Sequence, residues 1–426
     1  MNAGRCTFPE GRSFVRHPYG FTVLLIVGAI AATATAAAAQ APPPDPPDPA
    51  QAASRQAEIE QQQATKEQNL HPYVPNPGER IFDKLDVILA GGMLRWHPFF
   101  ENAYSGGGFT LGLGHVNYVS SYNYIDVRGS YSIASYKRIE AEFVAPRMFN
   151  RRAKLSILGG WREAPQVGFY GIGNDTSKDD RVNYLFRQPY ASGLFTIYPN
   201  RKNLMFGGGL EYSRWTQESG EGSFPPIDTV YSPATLPGVG AEVTYLHTQG
   251  TVGGDWRTSP GYSRRGGYFG VTIHDYKDSD DEFGFYLMDY DGIGHIPILR
   301  ETWVLSFHGN VQTAITKDDQ QIPFFMLPSV GGGSSLRGYS SWRFRDENRI
   351  LTQAEWRIMV NRYLDLAFFY DAGKVTARRS DLDLNHLRSD YGVGVRFHGP
   401  FATPLRIEIA RSREATAIVF ASGASF

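Results

Sequence analysis

The sequence predicts an all-β chain, a closed antiparallel barrel that crosses a membrane with its strands. Three observations carry that prediction. An apolar, alanine-rich leader lies near the N-terminus; about fifteen or sixteen segments of alternating hydrophobicity follow; and beyond the leader no run reaches the 18 or so apolar residues of a membrane helix. A chain of 426 residues with 14% aromatic residues, 46 glycines and 20% charged residues is long enough for one large barrel. Its net charge of −1 leaves no basic footprint for nucleic acid, and no nucleic-acid partner is expected.

The leader comes first. Arg12, Arg16 and His17 precede the apolar run from Phe21 to Ala39, and the small residues Ala37 to Ala41 close it. This is the pattern of a signal peptide, residues 1–41, removed on export through the inner membrane. A membrane anchor is the alternative, disfavoured because the run is alanine-rich and leads directly into the prolines of Pro42 to Pro49. Cys6 lies upstream of the run, so lipid attachment after it is not expected, and a processed chain would have no cysteine for disulfides, thiol catalysis or thiolate metal sites. Residues 42–82 are proline-rich and then polar, without an apolar stripe to bury, and are expected to form a disordered periplasmic tail.

From residue 83 to Phe426 the pattern is strand-like. Ile125, Val127, Tyr131 and Ile133 interleave with Asp126, Arg128, Ser130 and Ser132; Ile139, Ala141 and Phe143 with Glu140 and Glu142; Leu210 and Tyr212 with Glu211 and Ser213. Further on, Trp303, Leu305, Phe307 and Val311 alternate with Ser306, His308 and Asn310, and Leu405, Ile407 and Ile409 with Arg406, Glu408 and Ala410. Turn signals such as Asn200 to Asn203, Asp278 to Asp281 and Asn361-Arg362 separate the runs. Sandwiches and propellers also alternate. Here the polar face carries Arg128, Glu140, Glu142, Arg357, Arg396 and Glu408, which suit a wet lumen, while the other face suits lipid. Tyr118, Tyr122, Tyr136, Trp161, Tyr198, Trp215 and Trp342 sit near run ends, where an interfacial girdle would place them. Phe426, in phase with Ile418 and Phe420, is expected on the apolar face; a terminal aromatic resembles the assembly signal of outer-membrane barrels.

The long connection from Gln320 to Tyr339 is apolar and glycine-rich around one cation, which suits a loop packed against something. Gly332-Gly333-Ser334-Ser335-Leu336-Arg337-Gly338-Tyr339, the strand Gln353-Ala354-Glu355-Trp356-Arg357 and Phe369-Tyr370-Asp371-Ala372-Gly373 together resemble the BamA/TamA superfamily of bacterial surface antigens. Gly168 to Thr176 is a weaker echo of the same barrels. The resemblance implies a sixteen-stranded outer-membrane barrel whose sixth outer loop folds back into the lumen, where its arginine meets inward acidic residues. Strand parity agrees: with Trp356 and Ile358 toward lipid, Gln353, Glu355 and Arg357 turn inward, and with Leu364, Leu366, Phe368 and Tyr370 toward lipid, Asp365, Ala367, Phe369, Asp371 and Gly373 turn inward. The expected loop lock is Leu336, Arg337, Gly338, Tyr339, Glu355 and Asp371, supported by Gly331, Gly332, Gly333, Phe369 and Gly373. Arginine suits it because its planar fork pairs bidentately with a carboxylate, and glycine because it tolerates positive φ and close approach.

Enzymatic activity is not expected, since no nucleophile elbow, zinc helix or phosphate loop occurs. No cofactor or metal is expected either; the acidic stretch Asp278 to Glu282 lacks the spacing of a calcium loop. By resemblance, the function is assisting protein insertion into, or translocation across, the outer membrane; the alternatives are a passive channel and a surface-exposed structural barrel. The implied partners are outer-membrane lipid, unfolded protein clients, the assembly machinery that inserts the barrel itself, and a periplasmic protein in place of the POTRA domains that relatives carry before the barrel.

Overall fold

The computed structural model describes residues 94–199 and 203–426, together with a short helical stretch within 55–65. That stretch is exposed and rich in the helix formers Glu and Gln. The leader, the rest of the tail and residues 83–93 lie outside the described residues.

Sixteen strands pair in one antiparallel sheet in which each strand bonds to the next. They are β1 (Trp96–Phe99), β2 (Thr110–Tyr118), β3 (Tyr124–Ser132), β4 (Lys137–Arg147), β5 (Ala153–Phe169), β6 (Val182–Ile197), β7 (Leu204–Ser219) and β8 (Glu242–Asp255). There follow β9 (Gly266–Asp278), β10 (Phe285–Ile298) and β11 (Trp303–Thr316). The connection after β11 forms its own two-stranded ribbon, β12 (Ser329–Val330) with β13 (Phe344–Arg345). The main sheet resumes with β14 (Asn348–Asn361), β15 (Leu364–Thr376), β16 (Arg388–Phe397), β17 (Leu405–Ser412) and β18 (Thr416–Ala421). The alternation read from the sequence holds: Val127, Tyr131, Ile139, Leu210, Tyr212 and Phe307 are exposed, while their neighbours Asp126, Ser132, Glu140, Ser213 and Ser306 are buried. A sheet with apolar residues outside and charges inside is inverted relative to a water-soluble protein.

Charges are buried because the sheet curls around its own loops. Arg345 Nη2 donates to Tyr184 Oη of β6 at 2.9 Å, and Arg343, two residues earlier, donates to Glu414 beyond β17 at 2.8 Å. Those strands are nine steps apart along the sheet, roughly 40 Å if it were flat at about 4.8 Å per strand. The rings of Phe109, in the connection between β1 and β2, and Phe420 of β18 meet edge to face at 6.3 Å. Among the described residues no backbone pairing joins β1 to β18.

Consecutive antiparallel strands put alternate connections at opposite ends. One end has short turns, including 119–123, 299–302 and 362–363; the other has the long connections 170–181, 220–241 and 317–347. Long connections at the second end bury an apolar cluster that includes Phe169, Tyr184, Phe186, Trp215, Ile227, Leu236, Phe283, Phe324 and Phe325.

Two sequence expectations are corrected here. Tyr136 and Trp215 are buried and Trp342 stacks on Tyr104 at 4.5 Å, so these three are core aromatics, because long loops fold over the strand ends near Tyr136 and Trp215 and Trp342 lies in one of those loops; Tyr118 and Tyr122 are exposed as a girdle requires. Phe426 is not on the apolar face with Ile418 and Phe420. β18 ends at Ala421, Gly423 turns with φ +84°, and Phe426 stacks over the inward-facing His308 at 5.3 Å between ring centres.

Candidate functional site: the loop lock

At the centre of the contact between the connection 317–347 and the inner face of β14–β17 lies Arg337, which is 1% exposed. Its fork closes on Asp371 of β15, with Nε to Oδ2 and Nη2 to Oδ1 both 2.7 Å, and its Nη1 donates to Glu408 of β17 at 3.1 Å and to Glu355 of β14 at 3.4 Å. The guanidinium lies 3.5 Å from the ring centre of Phe369. Parity brings these residues together: Glu355 pairs in register with Phe369 and Gln353 with Asp371, so they share one face. Gln353 Nε2 also donates to Asp371 Oδ1 at 3.1 Å and to the loop carbonyl of Ser335 at 2.9 Å.

The loop is shaped for this approach. Gly331 and Gly332 have φ of +119° and +100°, which only glycine adopts readily, and their amides donate to Ser335 Oγ and to the Leu336 carbonyl. Gly333 and Gly338 are not at positive φ. Their role is clearance: a Cβ on Gly338 would stand 2.8 Å from Asp390 Cβ and 2.9 Å from the Ser412 nitrogen, and one on Gly333 would stand 2.9 Å from Val419 Cγ1. Leu336 and Tyr339 enter a buried cluster with Val330, Phe344, Leu351 and Val375. Gly373 lies in β15, where a Cβ would stand 2.8 Å from the Ile350 carbonyl oxygen.

The residues expected in the lock therefore meet, and further ones join them. Glu408 is a third carboxylate. Arg396 of β16 donates to Glu355 and, at 2.7 Å, to Glu408, while Arg406 donates to both Glu408 oxygens at 3.2 Å. Arg396 also reaches Ser425 Oγ at 2.7 Å. The glycine-rich echo joins as well: the Gly173 amide donates to the Arg345 carbonyl at 2.7 Å, and Arg388 donates to the Asn174 carbonyl at 2.7 Å.

A second buried cluster, not expected from the sequence, lies toward the short-turn end. The turn 256–265 reaches across to β15 and to the connection after β16. Tyr262 Oη donates to Asp365 Oδ2 at 2.7 Å and lies 3.1 Å from His398 Nε2, and the two rings stack at 3.9 Å. Arg357 of β14 donates to the Ser263 carbonyl, and Thr403 Oγ1 to the Gly261 carbonyl at 3.1 Å. Burial, with Asp365 beside it, pushes the Tyr262 hydroxyl well above the usual tyrosine range, so it stays a donor.

The acidic stretch has a structural use: buried Asp278 accepts the amides of Glu282 and Phe283 at 3.1 and 3.0 Å, closing the turn. No group of three metal-ligating side chains occurs among the described residues.

Residues 118–418 match the Omp85 superfamily domain. In fold, the chain is similar to BamA from Haemophilus ducreyi lacking POTRA domains 1–3, with a TM-score of 0.55 and 15% identity over 77% of this chain and 68% of that one. It is also similar to CdiB from Escherichia coli, with a TM-score of 0.51 and 11% identity over 77% of this chain and 61% of CdiB. No curated protein matches the chain by sequence.

Proposed function

The chain belongs to the Omp85 superfamily, and from that premise we propose that it is an integral outer-membrane barrel, closed along a weak seam, that assists insertion of proteins into the outer membrane or their translocation across it. The observation that carries this reading is the seam. β1 has 4 residues and β18 has 6, against 17 in β5. Strands this short leave backbone N–H and C=O groups of their longer neighbours, β2 and β17, without full partners, and an unpaired edge is a template for a client strand.

The interior supports the same reading over a channel. A wide pore needs an open lumen, whereas the inner face here holds a locked loop, and the long-loop end carries an aromatic cluster. Depleting the protein in its host and quantifying the outer-membrane and surface proteomes is the test. Selective loss of particular barrels or surface proteins is expected; an unchanged proteome would overturn the assembly role.

A further inference from the structure

Two short turns share one backbone shape. Phe149, Asn150 and Arg151 have φ of +48°, +57° and +66°, and Leu299, Arg300 and Glu301 have +50°, +57° and +68°. Positive φ in a hairpin turn suits the twist of the flanking strands, yet glycine and asparagine adopt it with least strain. Here the first position instead holds Phe149 or Leu299, 65% and 64% exposed, with an exposed arginine within two residues. Phe149 meets Phe195 edge to face at 6.5 Å between ring centres, but side chains so exposed gain little from packing on the protein, so packing accounts for little of the choice of bulky residues at strained positions.

The combination recurs at this end. Exposed Trp96 follows exposed Arg95, the Arg147 guanidinium lies 4.3 Å over the ring of exposed Tyr122, and exposed Val360 is followed two residues on by exposed Arg362. Among the described residues of the short-turn connections the one carboxylate is Glu301, which pairs with Arg265 at 3.2 Å. The opposite end carries Asp280, Asp281, Glu282, Asp318 and Asp319 in two of its connections. A chain of net charge −1 is therefore polarised along the strand direction.

We propose that the short-turn end is a rim that binds anionic phospholipid, its arginines taking headgroup phosphates while the adjacent apolar side chains enter the acyl boundary. The inference rests on the barrel reading above. Basic and apolar side chains interleaved at a membrane interface fit headgroup and acyl chain together. Their spread over separate turns fits many small headgroups better than one acidic protein, which would need a single contiguous face. Short turns of such barrels face the periplasm, where the leaflet is phospholipid.

The test uses the full chain in phosphatidylcholine vesicles, with spin-labelled phosphatidylglycerol or phosphatidylcholine as the probe. The fraction of motionally restricted probe gives the preference. A several-fold preference for phosphatidylglycerol is expected at low ionic strength, shrinking at about 0.5 M salt. R151Q/R300Q should bring it toward one, since each arginine at an anionic surface contributes about five-fold at most; R378Q/R379Q at the opposite end should leave it unchanged. Restricted lipid without headgroup preference, or a preference untouched by R151Q/R300Q, would overturn the rim and leave an acidic soluble protein as its ligand. No restricted lipid at all would overturn the barrel reading with it.

Discussion

Arg337→Ala is the sharpest perturbation of the lock. It removes both bonds to Asp371, which is fully buried, keeps Gln353 as a side-chain donor at 3.1 Å and faces the buried Asp390 of β16 across the strand pair. Glu355 and Glu408 fare better, because Arg396 remains on both and Arg406 on Glu408. The loss therefore falls mainly on one carboxylate. Breaking a buried pair from one side costs about 3 to 5 kcal/mol, and the lower figure applies where two of three carboxylates keep a cation. About 3 kcal/mol is a factor on the order of 10² in the loop's opening equilibrium, while burial of Leu336, worth about 2 kcal/mol, still favours docking. Limited proteolysis within residues 320–347, on protein embedded in lipid, follows the population of the open loop. Cleavage on the order of 10²-fold faster, with a lower denaturant midpoint, is expected, and D371N in the same chain should recover part of it by removing the stranded charge. Unchanged cleavage and an unchanged midpoint in R337A would refute the lock.

Tyr262→Phe removes a donor to buried Asp365; a destabilisation of about 1 to 3 kcal/mol is expected in denaturant titration of the refolded protein, and no change would mean that the crossing turn is held by its other bonds, among them those of Ser259, Ser263 and Thr403. Cysteines at 109 and 420, whose present rings are in contact, joined by a short bifunctional thiol reagent, should abolish restoration of client proteins in depleted cells, with reduction of a cleavable linker restoring it; full activity of the joined protein would reject opening at the seam. Phe426→Ala combined with R337A should be non-additive by about 0.5 to 2 kcal/mol in the loop-proteolysis equilibrium, whereas strict additivity would separate the C-terminal segment from the lock.

Strand parity made much of this legible. Period-2 alternation put Glu355, Asp371, Arg396 and Glu408 on one face before any pairing was known, because successive side chains of a strand must point to opposite sides. Which of them the loop would reach was a different matter. Glu408 was on the correct face but its place in the lock depends on β15, β16 and β17 lying side by side under the loop, a long-range fact that no local pattern encodes. The crossing turn 256–265 was illegible for the same reason: Tyr262, Asp365 and His398 are far apart in sequence and meet only because the sheet curls. Phe426 was misplaced because its parity was counted through Gly423, where the strand has already ended.

That misplacement has a structural consequence, for the end of the chain and the loop lock share partners. Arg396 holds Ser425 and two of the three carboxylates that Arg337 uses, Glu355 and Glu408. Phe426 stacks on His308, which is bonded to Gln353 Oε1 at 2.7 Å, and Gln353 in turn donates to Asp371 and to the loop carbonyl of Ser335. Two short chains of contacts thus run from the segment after β18 to Arg337. A buried ionic cluster gives little net stability over apolar packing, but its geometry is specific: sliding the loop by one residue would present Leu336 or Gly338 to Asp371 and leave a buried carboxylate unpaired. An apolar plug could slip along the wall without that penalty. The polar lock therefore fixes one docked position, and because its carboxylates also anchor the residues after β18, withdrawal of either segment weakens the hold on the other. Such sharing gives the seam edge a physical route by which strand exchange there would be felt at the loop.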